Sequence, residues 1–145
     1  MSTEATERRY EDVKENDFFM FEKPPVTKQQ LVMYAGASGD YNRIHYDHHF
    51  AVEAGLGGVI AHGMLVMGFL SQTVVMWGGK GAFVTEVRSR FVAPVRPGDC
   101  VVFDGRVVSK EVVDGKKLCR LEVEGVANER IVIKGAAVVQ LPDGN

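Results

Sequence analysis

The spacing of apolar residues along the chain changes character twice, and each change marks a different kind of element. Residues 1–16 are polar and read as a loosely held lead-in, with a folded domain expected over residues 17–145. A short apolar run, Phe18 to Phe21, reads as a strand and is broken by Pro24-Pro25. Thr27, with Gln30 three positions on, has the form of a capping box, and Leu31, Tyr34 and Ala35 follow at helical spacing. This helix is expected to end within Gly36 to Gly39. Asp47 can cap a further short helix running through Ala54 and stopped by Gly55. Gly63 to Trp77 is apolar nearly all round, as a buried central helix would be, and Gly78-Gly79 stop it.

From Ala82 onward the period is two. The charges in Phe83 to Phe91 fall on alternate positions, as one solvent-facing side of a strand requires, and Arg120 and Glu122 alternate with Cys119, Leu121 and Val123 in the same way. Val101 to Lys110 and Ile131 to Val139 are two more strands, with turns expected at Pro94 to Asp99, Asp114-Gly115 and Gly125 to Glu129. Helices followed by strands joined through short turns predict an α+β protein with an antiparallel sheet. That sheet must curl around the apolar helix, which has no other large surface to bury against.

Length and charge narrow what the domain can meet. A chain of 145 residues is expected to form one domain with one core. A formal charge of -2 offers no general attraction to nucleic acid or anionic lipid. The stretch Val59 to Trp77 is long enough to raise a membrane span, but it carries His62, Ser71, Gln72 and Thr73, so a protein core is the better reading. Cys100 and Cys119 are too few for a disulfide framework, and the first residues lack the apolar run of a secretory signal. The expected location is the cytoplasm.

The chemistry concentrates in two segments. Asp40 and His45 share the run Gly39-Asp40-Tyr41-Asn42-Arg43-Ile44-His45, between the two capped helices. Ala61-His62-Gly63-Met64 then opens the central helix, where the Gly63 N–H can meet developing negative charge. Each residue taken singly has a structural explanation. Gly39-Asp40 is an ordinary turn, a lone histidine such as His45 is usually a satisfied, partly buried one, and Gly63 suits close packing. Their conjunction points instead to proton transfer beside a polarised carbonyl. Ser38 and Asn42 either orient the pair or stabilise the loop, and His62 is read as structural. His45, His48 and His49 with Asp40 or Asp47 also offer metal-ligand types, but His48 and His49 at a polar helix start are more simply solvated, and no metal is expected. Cys119 is expected to be an inert core thiol, and Met64, Met67 and Met76 core or tunnel lining.

The motifs Ser38-Gly39-Asp40-Tyr41-Asn42, Ile44-His45 and Ala61-His62-Gly63-Met64 resemble the MaoC-like dehydratase family, the (R)-specific enoyl hydratases, along most of the chain. The chain is also similar to the catalytic subunits of (3R)-hydroxyacyl carrier-protein dehydratases. The resemblance implies a single hot-dog domain, a curled antiparallel sheet around the central helix. It implies Asp40 and His45 as the catalytic pair and Gly63 as the oxyanion donor. Arg43 departs from the pattern, which commonly has proline there; its guanidinium is open to an anion contact or to water.

The implied reaction is reversible dehydration of (R)-3-hydroxyacyl thioesters carried on coenzyme A or acyl carrier protein, with no cofactor. A homodimer, a heterodimer with a related hot-dog subunit, or a higher oligomer is implied with it. Two alternatives stay open: an acyl-CoA thioesterase, disfavoured because Gly63 to Trp77 holds no Asp or Glu, and an acyl-binding subunit, disfavoured because both members of the pair are present. Lys80, Arg88, Arg90 and Arg96 are scattered basics available to carrier phosphates or simply solvated.

Overall fold

Backbone hydrogen bonding in the computed structural model, which describes residues 6–142, follows the sequence periods closely. The elements are β1 (Phe18–Glu22), α1 (Lys28–Ser38), α2 (His48–Glu53), α3 (Gly63–Gly78), β2 (Phe83–Phe91), β3 (Val102–Val113), β4 (Lys116–Ala127) and β5 (Arg130–Gln140). Thr27 Oγ1 accepts the Gln30 N–H at 3.0 Å, and Asp47 Oδ1 accepts that of Phe50 at 3.1 Å, so both capped helices begin where expected. The five strands form one antiparallel sheet in the order β1-β3-β4-β5-β2.

The core lies between that sheet and one side of α3. Val66, Phe69, Leu70, Val74 and Trp77 pack against Leu121, Ile133 and Val139, and Cys119 is buried with them as expected. Burial pushes the Cys119 thiol above its ordinary range, which makes it a poor nucleophile. The expectation that α3 is enclosed on nearly all sides is not met. Met64, Val75 and Met76 are more than half exposed, because the sheet covers the opposite side of the helix. Among the described residues, no helix is long and apolar enough to cross a membrane.

Two further expectations are corrected. Of the lead-in, residues 1–5 lie outside the described ones, but the remainder is packed rather than loose. Arg8 Nε donates to the Trp77 carbonyl at 2.6 Å, Glu7 bridges Gly79, and Val13 is buried in the core. A single apolar side chain with a place in the core is enough to anchor a polar strap. The turn expected over Gly125 to Glu129 is shorter, because β4 runs through Ala127 and only Asn128 and Glu129 turn, both at positive φ.

Candidate active site

The loop after α1 is built from local hydrogen bonds that its own side chains supply. Gly39, at φ 76°, ends α1 in the left-handed conformation that glycine adopts without steric cost. Ser38 Oγ then accepts the Asp40 N–H at 3.1 Å, Asp40 Oδ1 accepts the Asn42 N–H at 3.2 Å, and Asn42 Oδ1 accepts the Ile44 N–H at 3.2 Å. Ser38 and Asn42 therefore serve the loop backbone. The ordinary-turn reading of Asp40 holds for one of its oxygens. The other is left over: Asp40 Oδ2 stands 3.8 Å from His45 Nε2.

His45 arrives in a 3-10 turn, Arg43–His45, and its side chain is buried while that of Asp40 is half exposed. Its Nδ1 lies 2.8 Å from the Ile60 carbonyl, which can only accept, so Nδ1 carries the hydrogen and a neutral ring presents its lone pair from Nε2 toward Asp40. The segment that supplies this carbonyl continues into α3. His62 is the residue before the helix and Gly63 its first residue, whose N–H has no acceptor within the helix. A side chain at Gly63 would meet the Phe91 ring, with a Cβ only 2.9 Å from Phe91 Cε2, so the glycine permits close approach of β2 to the helix start.

His45 and Gly63 line one cavity of about 330 Å³, whose remaining wall is apolar and includes Val66, Phe91, Val95 and Val132. Asp40 is not part of that wall and reaches the site only through His45. A larger concavity of about 720 Å³ lies on the solvent face of the sheet, lined by Arg88, Asp104, Arg106, Glu122 and Lys134 among others, and contains neither histidine nor the helix start.

Residues 14–128 match the MaoC like domain. The chain belongs to this family. It is 31% identical over 134 residues to an (R)-specific enoyl-CoA hydratase of Rhodospirillum rubrum, covering 92% of the chain and 91% of the relative. It is also 31% identical over 121 residues to a 3-hydroxybutyryl-CoA dehydratase of Methylorubrum extorquens, covering 83% and 76% respectively. The fold superposes on an R-hydratase of Pseudomonas aeruginosa with a TM-score of 0.85, covering 94% of the chain and 86% of that structure at 23% identity, a likeness of fold. The architecture is the hot-dog arrangement. Both curated relatives are named as hydro-lyases, and this MaoC-like chain is an enzyme of that class.

Within the MaoC-like domain, the guanidinium of Arg43, the residue at which the sequence departs from the expected motif, is engaged locally. It pairs with Asp47 at 2.8 Å and lies over the Phe50 ring, tying the loop to α2. The Phe50 amide first, and Arg43 second, hold the Asp47 carboxyl below its ordinary range. His48 and His49 are exposed, and His49 pairs with Glu53, so neither joins the site.

His62, expected beside the oxyanion position in a structural role, lies against the pair itself. Asp40, His45 and His62 each bring one ligand-type atom within 4.8 Å of the others. The His45 and His62 rings, however, stack with centroids 3.8 Å apart at 22°. Stacked imidazoles hold their lone pairs in nearly parallel planes, which do not converge on one ion. Ile60 and Phe91 are members that sequence reasoning missed; neither residue type signals a carbonyl or a ring turned toward a distant loop.

Proposed function

We propose that this MaoC-like domain catalyses the reversible dehydration of (R)-3-hydroxyacyl thioesters to trans-2-enoyl thioesters. The observation that carries the reading is the tautomer of His45. Its lone pair faces Asp40 Oδ2 across 3.8 Å, and the same ring shares a cavity with the Gly63 amide. That separation is too long for a direct hydrogen bond and lets one water, or one substrate hydroxyl, touch both groups.

In the hydration direction His45 accepts a proton from that water while the oxygen bonds to C3 of the enoyl group. The C2=C3 electrons move toward the thioester oxygen, which the Gly63 N–H meets at the positive end of α3; such a donor is typically worth about 3 kcal/mol of barrier. A proton returned from the Asp40–His45 pair to C2 completes the addition of water, and the reverse steps give dehydration. No step in this sequence calls for a cofactor. The apolar wall of Val66, Phe91, Val95 and Val132 suits an acyl chain, whereas the larger sheet-face concavity is charged. The acyl group would be carried on coenzyme A or acyl carrier protein.

The expected assembly is a dimer. Among the described residues, strand β2 is a sheet edge with one side unpaired. If two copies pair antiparallel through it about Val87, Glu86 faces Arg88 of the second copy on the outward side. This self-complementarity favours a homodimer over pairing with a related subunit.

Hydration of crotonyl-CoA, followed by loss of enoyl absorbance, tests the reaction. Asp40→Asn and His45→Ala are each expected to abolish turnover with circular dichroism unchanged, and unchanged rates in both would remove the assignment. Activity that appears only on adding a second hot-dog subunit would establish the heterodimer in place of the homodimer.

A further inference from the structure

His62 is 1% exposed, and its ring meets three neighbours. The His45 ring stacks on one face at 3.8 Å, and Tyr34 of α1 approaches edge-on at 4.7 Å. Its Nε2 lies 3.2 Å from the backbone carbonyl of Asp40, which only accepts, so Nε2 carries the hydrogen and Nδ1 is left with a lone pair. That Nδ1 is buried and has no hydrogen-bond partner among the described residues. A proton there would create a buried, unsatisfied donor and set a cation against the face of His45. The titratable groups facing the ring are Asp40 and His45 from the loop and Tyr34 from α1. Burial first, and His45 second, hold the His62 pKa below its ordinary value of 6.5.

We infer that His62 is a positioning residue for the hydration reaction: a neutral ring that braces the face of His45 and ties the Asp40 peptide to the start of α3. The inference rests on the hydratase reading above. One side chain thereby connects the three groups of the mechanism, since it bonds the residue that carries Oδ2, stacks on the ring that carries Nε2, and precedes the residue that donates the oxyanion N–H. A neutral brace also leaves the charge for His45. When His45 takes the water proton, the resulting imidazolium rests on an uncharged ring instead of a second cation.

Two variants separate the contacts. His62→Phe keeps a ring under His45 and removes the donor to Asp40, whereas His62→Gln keeps an N–H and removes the ring. With crotonyl-CoA as probe, each is expected to lower kcat roughly 10- to 100-fold with KM within about twofold, the signature of lost alignment. Unchanged kcat in both, or a loss confined to KM, would overturn the inference. Ring nitrogen-15 NMR of the unmutated protein reports separately from activity and from the folding of either variant. The expected signature is a neutral Nε2–H tautomer from pH 8 down through the ordinary histidine value of 6.5. A His62 that is Nδ1–H or cationic in that range would overturn the inference, whereas an unmutated protein inactive toward enoyl thioesters would overturn the hydratase reading and leave the NMR result standing.

Discussion

Gly63 shows how one missing Cβ can serve packing and, in the proposed reaction, chemistry as well. The Phe91 ring occupies the space a side chain would take, at 2.9 Å, and Gly63 both begins α3 and lines the cavity. Gly63→Ala is therefore expected to cost about 1–3 kcal/mol by overpacking, and less than about 0.5 kcal/mol when combined with Phe91→Ala; urea unfolding of the four members of this cycle measures the coupling. Equal costs in both backgrounds would mean that Phe91 does not set the requirement for glycine. His62 adds a pH dependence whose sign follows from its burial. The unfolded ring accepts a proton near its ordinary value of 6.5, and the folded ring resists it until lower pH. Below about pH 6.5 the unfolded state thus binds more protons, and stability falls as pH falls, while above that value this contribution is flat. His62→Phe should flatten the decline that sets in below about pH 6.5 in the same unfolding experiment.

The strands carry their own local conflicts. Asp104 of β3 sits directly opposite Glu124 of β4, and its pKa is raised by burial first and by that carboxylate second. A folded-state pKa above the unfolded one means that the protonated form is preferred on folding, so the penalty grows as pH rises through and beyond 3.8. Asp104→Asn is expected to stabilise the domain at neutral pH by a few tenths of a kcal/mol to about 1 kcal/mol, and the gain should vanish in acid. Thermal unfolding at pH 7 and pH 3.5 checks both parts. The β2 edge breaks the simple alternation through a register shift between Val84 and Glu86. Val84 and Val87 both pack against the core, so the charges of Glu86, Arg88 and Arg90 keep their period while Phe83 is turned outward.

At the scale of the whole molecule, exposed apolar side chains include those on the outer side of α3 and at the ends of β2. A nine-residue edge with Phe83 and Phe91 exposed is a ready template for a second strand. Pairing about Val87 predicts a charge test. Glu86→Arg should dissociate the dimer by placing like charges opposite each other, and adding Arg88→Glu should restore it by swapping the pair. Sedimentation velocity reads both outcomes, and a monomeric unmutated protein would remove the pairing.

What was legible in the amino-acid order was what neighbours within a turn or a pleat decide. The caps at Thr27 and Asp47, the glycine stop at Gly39, and the two-residue period of β4 are decided among residues close along the chain. The proximity of Asp40 to His45 was legible for the same reason, since a single short loop carries both. The family motifs carried the expectation further, to Gly63. Tertiary packing alone decided the rest: the Ile60 carbonyl that sets the His45 tautomer, the stacking of His62, the seat of Phe91 on Gly63, and the exposed side of α3. Those contacts join segments that meet only when the sheet closes on the helix, and side-chain type along the chain says nothing about which distant backbone atom a ring will face.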